Sequence, residues 1–153
     1  MRHVTFRLDG EMLAIPTSVL REILEPVAVT RVPRAAALSV GLINVRGSIV
    51  PLVDLRVALR LPVTPDTADT RLLVLDTRIG DLPLSVAVIA ESVHDVVDIL
   101  ESQVDRVPSI GSRWPPELVR GIARHVRTFI TLPDLEAIFE QSDAALLPDC
   151  KAS

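Results

Sequence analysis

The sequence predicts a mainly β protein: two five-stranded β-barrel lobes related by internal pseudo-duplication, with short helices. Three observations carry that prediction. The second half of the 153-residue chain repeats the first. Short β-branched runs alternate with turn dipeptides, as in small sandwiches and barrels. Each half then closes on one short helical segment that begins at an aspartate.

The repeat is found by sliding the chain on itself. At an offset of 80, Gly41–Leu59 falls on Gly121–Phe139 without a gap. Gly41 meets Gly121, Leu52 meets Leu132, and Asp54-Leu55 meets Asp134-Leu135. Leu42, Val50 and Leu59 meet the apolar Ile122, Ile130 and Phe139. With small gaps, Leu20-Arg21-Glu22-Ile23 resembles Val93-His94-Asp95-Val96, and Val32-Pro33 resembles Val107-Pro108. Four identities in nineteen positions are weak alone; three blocks in the same order imply duplication. The expected organisation is one domain over 1–142, with lobes of about 1–65 and 66–142 that are free to exchange strands. Residues 143–153 read as a flexible tail.

In chain order, His3–Leu8 and Glu11–Ile15 flank Asp9-Gly10, a dipeptide suited to positive φ in a tight hairpin. Thr17 and Ser18 are placed to cap a short helical turn after Pro16. Val27–Val32 is β-branched and proline-bounded, as a strand would be. Leu42–Val45 and Ser48–Val53 make a second hairpin around Arg46-Gly47. Asp54 can accept the orphan N–H groups of a helix whose Leu55, Ala58 and Leu59 share one face. A proline-marked linker, Leu61–Thr70, follows. Arg71–Thr77 and Leu82–Ile89 surround Gly80-Asp81, and Val93–Leu100 follows them. Leu118–Val126 pairs with Phe129–Leu132, and Asp134 opens a helix presenting Leu135, Ile138 and Phe139.

Composition narrows the function. Apolar residues make up 48% of the chain and aromatics only 3%, so an aliphatic core is available and disorder is excluded. A net charge of −4 and few stacking side chains argue against nucleic acid. Cys150 is the only cysteine, so no disulfide framework or cysteine-based metal site is expected. No apolar run suits a signal peptide or a membrane span, which points to a cytoplasmic protein without direct membrane insertion.

Little here reads as catalysis. No nucleophile elbow, P-loop or dinucleotide fingerprint is present. His3, His94 and His125 are scattered and read as surface strand residues. Glu91, Asp95, Asp98, Glu101 and Asp105 lack the geometry of a calcium loop and read as a solvated strand face. Trp114 reads as a plug or an interface anchor. The segment Asn44-Val45-Arg46-Gly47 stands apart: its counterpart is Arg124-His125-Val126-Arg127, so the repeat fails there while holding on both sides. What both halves need for folding should occur in both. A residue set present in only one half points to function, and an arginine at this hairpin tip is either a surface charge or a contact whose planar fork binds a partner.

At this point the sequence resembles the CheW family of coupling proteins in bacterial chemosensory arrays. The pattern reads Phe6-x-Leu8-x-Gly10-Glu11-x-x-Ala14-Ile15, Glu22-Ile23 and Arg31-Val32-Pro33. It continues as Gly41-x-Ile43-Asn44-Val45-Arg46-Gly47-Ser48-Ile49-Val50-Pro51-Leu52-Val53-Asp54-Leu55-Arg56. The resemblance runs from about Phe6 to Phe139 and implies SH3-like barrels packed on a shared seam. It implies a non-catalytic adaptor, without cofactor or metal, recruited to membrane-associated arrays. The implied partners are the regulatory domain of a CheA-type histidine kinase, the cytoplasmic helical tip of a chemoreceptor, and other CheW-like domains. The implied protein-binding residues are Leu20, Glu22, Ile23, Asn44, Arg46 and Ile49. Gly41, Gly47, Pro51, Asp54, Leu55, Gly121 and Asp134 are assigned structural roles. The chain departs from the family pattern at Leu13, Ala36, Ala90-Glu91 and Pro133. Arrays governing pilus motility or cyclic-nucleotide signalling, and a small-molecule-sensing barrel, are the competing readings. An apolar pocket with converging polar groups would favour the sensor.

Overall fold

Asp9 and Gly10 adopt φ of 50° and 75°, and Arg46 and Gly47 adopt 52° and 88°. Two successive positive φ values match the twist of a two-residue hairpin. Accordingly β1 (Arg2–Leu8) returns as β2 (Glu11–Pro16), and β4 (Ser39–Val45) returns as β5 (Ser48–Val53). The computed structural model describes residues 1–31, 39–79, 81–106 and 115–140. Within them lie also β3 (Leu20–Leu24), β6 (Arg71–Ile79), β7 (Leu82–Ala90) and β8 (Ser92–Asp98). The short β9 (Val104–Asp105), then β10 (Val119–His125) and β11 (Thr128–Pro133), complete the strands. Helices α1 (Leu55–Ala58) and α2 (Leu135–Glu140) follow β5 and β11. Expectations for Val32-Pro33, Ala36, Gly80, Val107-Pro108, Trp114, Cys150 and the tail lie outside the described residues.

The strands form two sheets of the same order, β8-β1-β2-β11-β10-β9 and β3-β6-β7-β5-β4. Both carry one parallel pairing at the same place, β2 with β11 and β7 with β5. An isolated bridge from Thr30 to Leu42 extends the second sheet where β9 extends the first by pairing Asp105 with Ile122. Sheet membership crosses the halves of the sequence. The hairpin β1–β2 joins the strands of the second half, and the hairpin β6–β7 joins those of the first.

The pattern of burial explains the aliphatic runs. Leu73, Leu75, Val86, Val88 and Ala90 of the five-stranded sheet meet Val4, Phe6, Leu8, Leu13 and Ile15 of the other in one shared seam. The alternate residues Leu72, Val74, Ala87 and Ile89 form a separate interior with Ile43, Val45, Val50 and Leu52. Ala14, Ile99, Ala123, Ile130 and Leu132 form the counterpart in the six-stranded sheet. A strand buried on both faces needs apolar residues throughout, so Leu72–Leu75 and Val86–Ala90 do not alternate. Leu55 and Leu59, like Leu135, Ile138 and Phe139, drive both helices into the seam.

Three local expectations are corrected. Of the run expected as a strand from Val27, the described part, Val27–Arg31, is not one: only the Thr30 bridge forms, and Val27 and Val29 are exposed. A β-branched run without a partner edge does not become a strand. The 3-10 turn Thr17–Val19 forms, but no side chain caps it. His3 is buried rather than exposed, and its Nδ1 donates to the Met1 carbonyl at 3.0 Å. Among the described residues no helix is long and apolar enough to cross a membrane.

Candidate functional site

The β4–β5 turn presents Arg46 outward. Asn44 Oδ1 accepts the Gly47 N–H at 2.8 Å, clamping the turn. Arg46 Nε donates to both carboxylate oxygens of Glu22, at 3.1 and 3.2 Å. Glu22 lies on β3, and β3 and β4 are opposite edges of the five-stranded sheet. A flat sheet would hold those edges about 19 Å apart at its usual strand spacing. That is further than the two side chains can bridge, so the sheet curls and brings its edges together. The ion pair therefore marks the closing line of the lobe.

The Arg46 side chain remains 80% exposed while that of Glu22 is 17% exposed. An exposed pair of this kind contributes only about 0–1 kcal/mol to stability. The pair thus fixes the guanidinium at the surface: Nε is engaged, and the terminal nitrogens make no hydrogen bond among the described residues. Ile49 sits opposite Asn44 on the hairpin and is 61% exposed. Ile23 is 43% exposed, on the opposite face of β3 from Glu22. Leu20 is half-buried and packs on the seam. The structure thus brings together Glu22 and Arg46, sets Asn44 and Ile49 beside them, and directs Leu20 inward.

The residues given structural roles are placed as follows. A Cβ on Gly41 would stand 2.3 Å from the Thr30 carbonyl oxygen, so only glycine lets the Thr30 segment cross there. A Cβ on Gly121 would meet Val104 Cγ1 at 2.5 Å, under the equivalent crossing by β9. Gly47 has open space and is required by its φ alone. Pro51 is buried opposite Leu42. Leu55 is fully buried in the seam. Asp54 Oδ1 accepts the Arg56 N–H at 3.0 Å, and Asp134 Oδ1 accepts the Ala137 N–H at 3.1 Å, so both cap their helices.

Arg56 itself was not singled out by its sequence context, yet it is only 2% exposed. Its Nε and Nη2 donate to the two oxygens of Asp54 at 2.9 Å each, and Nη1 donates to Glu91 Oε2 at 3.0 Å. Nη1 also reaches the Thr64 carbonyl at 3.2 Å. The hydrogen bonds that Arg56 donates to Asp54 raise its pKa above the ordinary value, and burial opposes that rise only in part. Glu91 is therefore not part of a solvated acidic face, although Asp95, Asp98, Glu101 and Asp105 are exposed. The available signal was a charged residue inside the apolar run Ile49–Leu59.

An open cleft of about 400 Å³ lies beside the six-stranded sheet, lined by His3, Ala14, Ile99, Val104, Arg120 and Leu132 among others. Through Pro16, Arg120 and Pro133 it continues into a second cleft of about 370 Å³ that includes Val19, Thr77 and Glu136. The two make a groove running from the six-stranded sheet towards Val19 and Thr77 of the other lobe.

Residues 2–143 match the family model of the CheW-like domain. The chain belongs to the CheW-like domain family. It is 26% identical to the chemotaxis protein CheW of Bacillus subtilis over 147 residues, spanning 95% of this chain and 92% of that protein. It is also 26% identical to the probable chemotaxis protein CheW of Rhizobium etli over 141 residues, or 92% and 88% of the two chains. The crystal structure of the scaffolding protein TtCheW from Thermoanaerobacter tengcongensis superposes with a TM-score of 0.79 at 25% identity. That superposition covers 91% of this chain and 87% of the other. The two-lobe β architecture is thus that of a CheW-like scaffold.

Proposed function

We propose that this CheW-like chain is a non-catalytic chemotaxis scaffold that couples chemoreceptor signalling tips to a CheA-type histidine kinase. The observation that carries the reading is the Arg46–Glu22 pair at the lobe's closing line, with Ile49 exposed on the same hairpin, in a chain of this family. A guanidinium beside an exposed aliphatic side chain, Ile49, has the composition of an interface centre, where arginine anchors dominate binding once a partner excludes water. The kinase's regulatory domain or another CheW-like domain is the partner proposed for this surface. The receptor's helical tip is proposed to lie along the inter-lobe groove, apolar face inward. Holding both at once makes each further contact in an array effectively intramolecular, so weak single contacts suffice. The working location is the cytoplasmic face of membrane-associated arrays, reached through the receptors rather than by insertion.

The test is binding of purified wild type and Arg46→Glu to kinase and receptor signalling domains, with thermal melts alongside. The reading expects the variant to keep its melting temperature and to lose kinase binding by about tenfold or more. Wild-type protein that binds neither partner would overturn it.

A further inference from the structure

We infer that Arg56, Asp54 and Glu91 form a buried clamp that fixes the angle between the two lobes, making Arg56 and Glu91 positioning residues for coupling. Its consequence for signalling rests on the adaptor reading above; its geometry does not.

Glu91 stands where the chain passes from β7 of the five-stranded sheet to β8 of the six-stranded sheet. Its two carboxylate oxygens face different lobes. Oε2 accepts from Arg56, which follows β5 of the five-stranded sheet. Oε1 accepts the Asp9 N–H at 2.8 Å, in the β1–β2 turn of the six-stranded sheet. The Glu91 N–H donates to the Arg7 carbonyl at 3.0 Å, adding a second tie to that turn. Asp54 grips the guanidinium through two parallel bonds, so its plane is set before Glu91 meets it. A buried charge cluster is a poor source of stability compared with apolar packing, but it is directional. What it supplies here is orientation.

The opposite crossover shows what the absence of a clamp looks like. There the chain passes from β2 to β3 through Pro16–Val19. The residue 80 positions after Arg56 is Glu136, which is exposed. In place of a buried ionic cluster stands the cleft of about 370 Å³, lined by Val19, Thr77, Asp134 and Glu136. The lobes are tied by this cluster along one side and flank a cleft along the other, so loosening the cluster leaves the seam, the two crossovers and the Glu91 N–H bond to Arg7 to set their angle.

The experiment is pulsed electron paramagnetic resonance on the full chain in a Cys150→Ser background, with spin labels at Leu82→Cys and Val126→Cys. These exposed positions lie on different sheets and outside the candidate docking surface. With the clamp intact a single narrow distance distribution is expected. Glu91→Gln removes the cross-lobe charge while Asp54 keeps Arg56 paired, so the fold should persist; the distribution should broaden roughly twofold or shift. Ile130→Val, which loosens the interior of one lobe only, should leave it narrow. In the coupling assay Glu91→Gln should keep binary binding to each partner but reduce ternary assembly by about tenfold. A folded Glu91→Gln protein with the parent distribution, or equal broadening by Ile130→Val, overturns the clamp. A parent protein that binds neither partner overturns the adaptor reading, and the distances still decide the clamp.

Discussion

The hairpins β4–β5 and β10–β11 match in backbone geometry and differ in the side chains at their tips. Their registers coincide: Gly41 pairs with Leu52 and Gly121 with Leu132, and each carries its irregularity two residues earlier, at Ser39 and Val119. Both end on a residue of positive φ, Arg46 at 52° and Val126 at 54°. The first tip holds an arginine anchored to Glu22, whereas the second exposes Val126 and Phe129. Backbone geometry was retained where a third segment crosses the hairpin, and side-chain chemistry diverged where nothing covers it. A duplicated fold therefore separates what folding demands from what a surface is free to do.

The largest expected effect breaks the shared part. Gly41→Ala would drive a methyl into the Thr30 carbonyl, a backbone atom that cannot swing aside. A loss of about 4 kcal/mol or more is expected in denaturant melts. Gly121→Ala meets the Val104 side chain, which can rotate, and the Asp105 carbonyl oxygen at 2.8 Å against 2.3 Å for Thr30, so a smaller loss of about 1–3 kcal/mol is expected. Equal losses would mean that the two crossings do not differ in tightness as the contact atoms require.

The pair Arg56 and Glu136 comes next. Arg56→Ala leaves the buried Asp54 and the half-buried Glu91 facing one another, at an expected cost of about 3–5 kcal/mol. Glu136→Ala, exposed at the matching position, should stay within about 0.5 kcal/mol of wild type. Leu55→Ala follows, with about 3 kcal/mol expected for a cavity in the seam. Its counterpart Leu135 lies beside the open cleft and is 7% exposed, so Leu135→Ala should cost less.

How much of this was legible in the sequence follows from how local each signal is. The hairpin turns and the aspartate caps are encoded within four residues, and Asp9-Gly10, Arg46-Gly47, Asp54 and Asp134 behave as their local chemistry requires. Which hairpin joins which sheet is not local. The hairpins β1–β2 and β6–β7 have the same pattern and could complete either sheet, so the repeat gives the lobes but not the exchange. The candidate surface was visible because the repeat fails at Arg46. Its pairing with Glu22 was not, since 24 residues and a curled sheet separate the two. Arg56 was hidden for the opposite reason: a charged side chain at a helix start reads as solvent-exposed until its burial is known.

The smallest expected change in stability is the one that best sharpens the comparison of the two tips. Arg46→Glu places a carboxylate against Glu22, but at a position where the side chain is 80% exposed and solvent screens the repulsion. The free energy of unfolding should change by no more than about 0.5 kcal/mol. Val126→Glu, at the matching tip, is 91% exposed and should be equally silent in a melt. The two variants should then part in binding. Kinase affinity should fall only for Arg46→Glu if the diverged arginine is the contact, and salt should weaken the wild-type complex as it would any charge-assisted interface. Equal loss from both tips would instead show that the lobes share a common docking mode, with the apolar side chains near each tip, Ile49 and Phe129, as its shared element.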